Sequence, residues 1–329
     1  MFKIPNMKGK LIKSFIVLFL ITMLIFPSAS YQGASTGLLL WFHTILPNLL
    51  PFIIISNLMI RMNITKQISV LFYPLFKRIF QVSPDGCYPI LIGFLSGIPV
   101  GAKATADLFN DKKIHTEEGN FLLTMCNNVS PMFIMSYIAI SQLKLPRIKY
   151  TLFVIIYCSS IISALIYRFV TLKKNKAVAS LPTERISALS TDSTPVKRVP
   201  IRFELVDNSI MNGFEVITKI GGYVILFSIL AQFVHVLLPD SGYLKQFLMG
   251  ILEITTGINQ ICLTNMDINL KIVLVAVLTS FGGFSSIAQT KSVLGNTRLS
   301  LKSYCAVKLI SAFITLIITY VYVYLLHAI

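Results

Sequence analysis

The sequence predicts an all-α polytopic membrane protein, arranged as an inverted repeat with broken and re-entrant helices. Three observations carry that prediction. Of 329 residues, 55% are hydrophobic and 13% charged, about half the charged share of an ordinary soluble domain. Apolar runs of about 20 residues, enough to cross hydrocarbon as helix, recur along the chain. Several of those runs contain Gly, Pro or amide residues, which a membrane helix tolerates only where protein or a wet cavity satisfies the freed backbone groups.

The candidate membrane segments are 11–30, 37–60, 87–109, 121–140, 150–170, 210–238, 247–263, 270–294 and 303–326. The first follows Lys3, Lys8, Lys10 and Lys13 and precedes Ser28-Ala29-Ser30, an outline shared with signal peptides. Its apolar length and the many later spans favour an uncleaved first span. Segment 37–60 opens with Trp41 and His43, suited to an interfacial aromatic belt, and is expected to break at Pro47-Asn48 and Pro51. Further breaks are expected at 96–101, at Gly221-Gly222 and at Gly282-Gly283 with Ser285 and Ser286. Asn127-Asn128-Val129-Ser130-Pro131 interrupts 121–140, and Glu253 places an acid within 247–263.

The net charge of +16 lies in short clusters between apolar runs. It therefore reads as a topology signal and not as a nucleic-acid surface. The positive-inside rule puts the N-terminus, the stretch 61–78, the Lys112-Lys113 turn and a polar linker on the cytoplasmic face. Segment 87–109 must then enter and leave on one side, as a re-entrant hairpin, while Lys144, Arg147 and Lys149 fall outside, with Lys291, Arg298 and Lys302. The expected organisation is an N-terminal span (1–36), a first repeat with an extra span (37–171), a basic cytoplasmic linker (172–206) and a second, inverted repeat (207–329). Cys87, Cys126, Cys158, Cys262 and Cys305 are scattered without a C-x-x-C pair, which indicates neither zinc nor a disulfide framework. The expectation is a multi-pass cell-membrane protein in contact with the lipid bilayer.

Between the halves, 44–48 falls on 218–222, Lys66-Gln67 on Lys245-Gln246, and 97–103 on 283–289. Pro99 suits the first turn of a new helix, whose free N–H groups and positive end, with Lys103 one turn along, would receive an anionic or strongly polar group. Gly283 would start the matching half-helix, with Gln289 in place of lysine. An acid at membrane depth is expensive and by default functional, so Glu253 is a proton or ion site, or else the partner of Lys103. The candidate solute site is Ser96, Gly97, Pro99, Gly101, Lys103, Asn127, Asn128, Ser130, Glu253, Thr255, Gly283, Ser285 and Gln289. Against it stand plainer readings, in which the glycines serve close helix packing and the amides bond across helices. Glu215 and Lys219, four apart, read as a local pair. No P-loop, HExxH or GxSxG pattern occurs and no His/Asp set accompanies the serines, so neither an enzyme nor a cofactor or metal is expected.

Several of these stretches, with Trp41 and its Leu-Pro-x-Leu-Leu-Pro-Phe core, Ser96-Gly97-Ile98-Pro99-Val100-Gly101-Ala102-Lys103, Asn127 to Phe133, Glu253-Ile254-Thr255-Thr256-Gly257 and Phe281 to Gln289, resemble the YlbJ-type sporulation integral membrane proteins of endospore-forming bacteria. These contain the nucleoside-recognition or Gate repeat. Ile98 stands where the family pattern has an aromatic. The resemblance implies a role in spore formation, at the cortex or envelope stage, in the mother-cell membrane or around the forespore. Two functions fit: a carrier or permeation pathway for a small polar or anionic solute, or a membrane scaffold that recruits other envelope-assembly proteins through the basic linker.

Overall fold

The computed structural model describes residues 7–62, 64–176, 203–239 and 243–325, and every regular element among them is helical. Most of the basic linker, 177–202, lies outside the described residues.

The chain opens with α1 (Met7–Ile25), whose Phe15, Leu18 and Leu24 are exposed as a lipid-facing surface would be. Pro27 then begins α2 (Pro27–Leu40), which passes through a π-helical turn at Trp41–Ile45 into α3 (Leu46–Arg61). After these come α4 (Ile64–Phe80), α5 (Cys87–Ser96), α6 (Val100–Asn110) and α7 (Thr116–Cys126). A non-helical stretch at 127–130 leads into a π-helical segment, Phe133–Gln142, and α8 (Lys149–Lys176) ends the first half. The second half holds α9 (Phe203–Leu237), α10 (Leu244–Leu252), α11 (Ile254–Leu263), α12 (Ile268–Phe281), α13 (Gly283–Leu294) and α14 (Leu301–Tyr320), extended by a π-helical turn at Val321–Leu325. Among the described residues, five helices are long and apolar enough to cross a membrane: Pro27–Met59, Pro146–Thr171, Phe203–Leu237, Ile268–Leu294 and Leu301–Leu325.

The spine is an antiparallel pair, α2–α3 against α9. Gly33 abuts Ile229, Gly37 meets Ser228, and Gly213 faces Ile54. The Trp41 indole N–H donates to the Ile217 carbonyl at 2.8 Å, and Asn57 Nδ2 to Ser209 at 3.3 Å. Small residues let the backbones approach, since a Cβ on Gly33 would lie 2.7 Å from Ile229 Cα.

Against this spine stand two helical hairpins. α5 and α6 fold back so that a Cβ on Gly101 would come within 2.9 Å of Gly93 Cα. α10 and α11 do the same around Gly250 and Gly257, which touch although a continuous helix would hold residues seven apart at about 10 Å. Each hairpin is followed by an interrupted helix and then a long one. The order hairpin, interrupted helix, long helix therefore occurs twice. By that order the tip at 97–99 corresponds to Glu253, and the stretch 127–130 to Gly282, so the expected pairing of 97–103 with 283–289 does not follow the elements.

Other expectations need correction. The first break falls at Phe26-Pro27 rather than between 30 and 37. The stretch 61–78, to which no element is assigned from sequence, carries a helix, α4; its Val70, Leu71, Leu75 and Ile79 are exposed and Lys77 and Arg78 occupy its last turn. Segment 247–263 is two short helices and not one span. Conversely, α9 runs unbroken through Gly221 and Gly222, because the Trp41 indole packs where a Gly221 side chain would be. The helix also continues through Pro47 and Pro51, with the π-helical turn immediately before and the Asn48 amide donating to Thr44 O at 2.7 Å.

Candidate functional site

Both hairpin tips and both interruptions meet around one cleft. At the first tip Gly97 has φ +77°, and a Cβ there would stand 2.6 Å from Ser130 N, so only glycine fits. The next amide, Ile98 N–H, donates to Asn128 O at 2.8 Å, which fastens the tip to the stretch 127–130. Ser96 Oγ donates to Ser56 Oγ of α3 at 2.7 Å.

The non-helical stretch exposes backbone groups that neighbouring helices satisfy. Tyr157 of α8 places its hydroxyl 3.1 Å from Val129 O and 3.0 Å from Phe94 O. Tyr304 of α14 donates to Asn127 O at 3.3 Å, and Asn127 Nδ2 to Thr290 Oγ1 of α13 at 2.7 Å. Asn128 Nδ2 turns back to Met125 O at 2.6 Å, and its Oδ1 accepts from Ser160 and from Lys308, each at 2.7 Å. Ser130 Oγ accepts from Phe133 N at 3.3 Å and so caps the helical segment that follows.

At the second tip a single extended residue, Glu253, turns the chain. Its carboxylate accepts from Thr256 N at 2.7 Å and from the Thr255 hydroxyl, and so caps α11. Thr256 bonds Ser228 of α9 at 2.7 Å. In the second interruption Gly282 and Gly283 both have positive φ, +90° and +74°, which a side chain would disfavour. α13 starts there with no side-chain cap, leaving amide donors at its head.

The resulting cleft holds about 510 Å³ of empty space, its open mouth included. Ser96, Ser130, Glu253, Thr255, Ser285, Ser286 and Gln289 supply its polar lining; Ile45, Leu49, Ile98, Phe133, Ile220 and Val224 are among its apolar walls. The enclosed part is only about 60 Å³, room for a few waters, and its lining is apolar with a few converging polar groups, as at small-molecule sites. Glu253 is the one carboxylate in the lining, and no grouping of three His, Cys, Asp or Glu side chains able to hold a metal occurs among the described residues.

Of the residues expected to form a site, Ser96, Ser130, Glu253, Thr255, Ser285 and Gln289 line this cleft. Gly97, Pro99 and Gly101 build the first tip, Gly283 begins α13, and Asn127 and Asn128 lie buried in the interruption behind the lining. Lys103 is elsewhere. The buried face of α6 is made by small residues, Gly101, Ala102, Ala104, Thr105 and Ala106, leaving Lys103 exposed on the opposite side. There it acts electrostatically on Asp107 and on Glu215 of α9, and Glu253 is not its partner. Glu215 and Lys219 form the local pair, at 2.6 Å.

Sequence reasoning missed Lys308, Tyr157, Tyr304, Tyr137, Ser160 and Thr290. One signal was available: Lys308, Ser311, Thr315 and Thr319 recur at three- and four-residue spacing, a polar stripe within an apolar run, and all four are buried.

Among curated proteins, the sporulation integral membrane protein YlbJ of Bacillus subtilis (strain 168) is 28% identical to this chain over 324 residues, covering 91% of the chain and 79% of the relative. No family model and no solved structure matches. That extent of likeness bears out, across nearly the whole chain, the YlbJ-type resemblance carried by the tip, interruption and acid motifs that surround the cleft.

Proposed function

We propose that the protein is a carrier or permeation pathway for a small polar or anionic solute, serving spore formation in the cell membrane. The observation that carries the reading is the meeting of two hairpin tips and two helix interruptions at one cleft. Irregular backbone at membrane depth is costly unless it lines protein or a wet cavity, and paired broken helices at a shared site are the build of secondary carriers. Hydroxyls, the Gln289 amide and the uncapped head of α13 offer donors to a solute, and the recurrent element order supplies two units able to rock against one another as an inverted repeat. Glu253 is the group that couples a proton or cation, being the one acid in the lining. The spore setting comes from the relative's name.

The test is thermal stability of the detergent-purified protein against nucleosides, nucleotides, amino acids, phosphate, small dicarboxylates and divalent metals, because a ligand held by the folded state raises the midpoint. A rise that disappears in Ser285→Ala and Gln289→Ala is the expected result. A flat panel, with spore formation intact in both variants, refutes the reading and leaves the scaffold.

A further inference from the structure

A second polar centre lies behind the cleft, at the C-terminal end of α7. Lys308 of α14 is 2% exposed. Its ammonium donates to Asn128 Oδ1 at 2.7 Å and lies 5.7 Å from the centroid of the Tyr304 ring. No carboxylate pairs with it: the ion pairs among the described residues are Lys113–Asp111 and Lys219–Glu215, both exposed. The groups that receive its charge are neutral, namely an amide oxygen, an aromatic ring and the negative end of α7, which terminates at Cys126. Charging a buried lysine without a counter-ion is costly, so a charged state at this position calls for a use.

The use is visible in Asn128. Its side chain holds the α7 terminus through Met125 O, while its carbonyl accepts from Ile98 N at 2.8 Å, and Ile98 lines the cleft. Whatever fixes Asn128 fixes the first hairpin tip. Among the described residues, α14 reaches the corresponding interruption near Gly282 through hydroxyls, those of Tyr304 towards Ser286 and of Ser311 to Ser280 at 2.7 Å. One interruption is thus held by a cation and the other is not.

We propose that the Lys308 ammonium is a tethered cation filling a monovalent-cation site at the end of α7, and that a chain lacking the tether takes up a free alkylammonium ion there. Lys308 is a positioning residue in this account, acting on the cleft through Asn128 and Ile98. The inference stands apart from solute transport, because its test reads folding stability alone.

Lys308→Ala deletes the propylammonium portion of the side chain, so n-propylammonium chloride is the probe. The controls are n-propanol, similar in size and neutral, and choline chloride, charged and too large. The expected result is a midpoint several degrees below wild type that n-propylammonium raises and neither control raises, while wild type responds alike to all three. Recovery by n-propanol, or none by the amine, overturns the proposal. Should Lys308→Ala fail to fold, Asn128→Asp is compared in the wild-type and Lys308→Met backgrounds. A smaller loss of midpoint beside Lys308 supports the buried cation, and equal losses overturn it.

Discussion

Tyr137, on the π-helical segment of the first half, donates its hydroxyl across 2.8 Å to the carbonyl of Thr255 on the second-half hairpin. Both residues are buried, and Thr255 also gives its own hydroxyl to Glu253. The bond therefore ties the acid of the cleft to the opposite half of the molecule. Tyr137→Phe leaves the Thr255 carbonyl without this donor, at a cost of about 1–3 kcal/mol. The expected outcome is a lower thermal midpoint with an unchanged far-UV circular dichroism spectrum.

Glycines separate into two kinds by what surrounds them. A Cβ on Gly257 would press into the Gly250 backbone, and one on Gly101 into the Cys126 carbonyl. Gly257→Ala and Gly101→Ala are each expected to cost about 1–3 kcal/mol or more by overpacking, seen as poor yield of monodisperse protein. Gly222 has nothing within 4 Å of its Cβ position, and as a helix-interior glycine its replacement by alanine is expected to raise stability by up to about 1 kcal/mol.

Glu253→Gln separates the structural from the electrical duty of that side chain. A glutamine oxygen still accepts from Thr256 N, so the α11 cap and the fold are expected to survive within about 1 kcal/mol. If Glu253 carries the coupling charge, uptake into proteoliposomes loses its dependence on an imposed proton or cation gradient. Gradient-driven uptake at the wild-type rate in this variant would rule that role out.

Lys103, exposed near Asp107 and Glu215, is not among the residues of the lining. Lys103→Ala is expected to leave ligand affinity, read as midpoint shift, within about twofold, and to weaken the salt dependence of the uptake rate, since exposed charge acts through steering that salt screens.

The parts of the fold legible in the sequence were those where residue type alone compels a backbone. Pro99 flanked by Gly97 and Gly101, Gly282-Gly283, and Asn127-Asn128 ahead of Pro131 each mark a real departure from helix. The turn at Glu253 carries neither Gly nor Pro and went unread; its trace was the pair Gly250 and Gly257 flanking an acid, matching Gly93 and Gly101 around the first tip. Gly221 and Pro47 misled for the opposite reason. A glycine that admits Trp41 and a proline preceded by a π-helical turn both sit inside continuous helix, because tertiary contacts outweigh local propensity. Lys308 was hidden among apolar neighbours, and its partner Asn128 lies 180 residues away.

The exposed Glu215–Lys219 pair has a bearing on how deep the cleft lies. Side chains 60% and 64% exposed and ionised stand in water or among headgroups, not in hydrocarbon. Along the same helix, Val224 at the cleft is five residues on, about 8 Å. From Val224 to the helix end at Leu237 the rise is about 20 Å. The cleft therefore lies closer along α9 to this charged pair than to the far end of the helix, so the polar boundary marked by Lys219 is the nearer of the two.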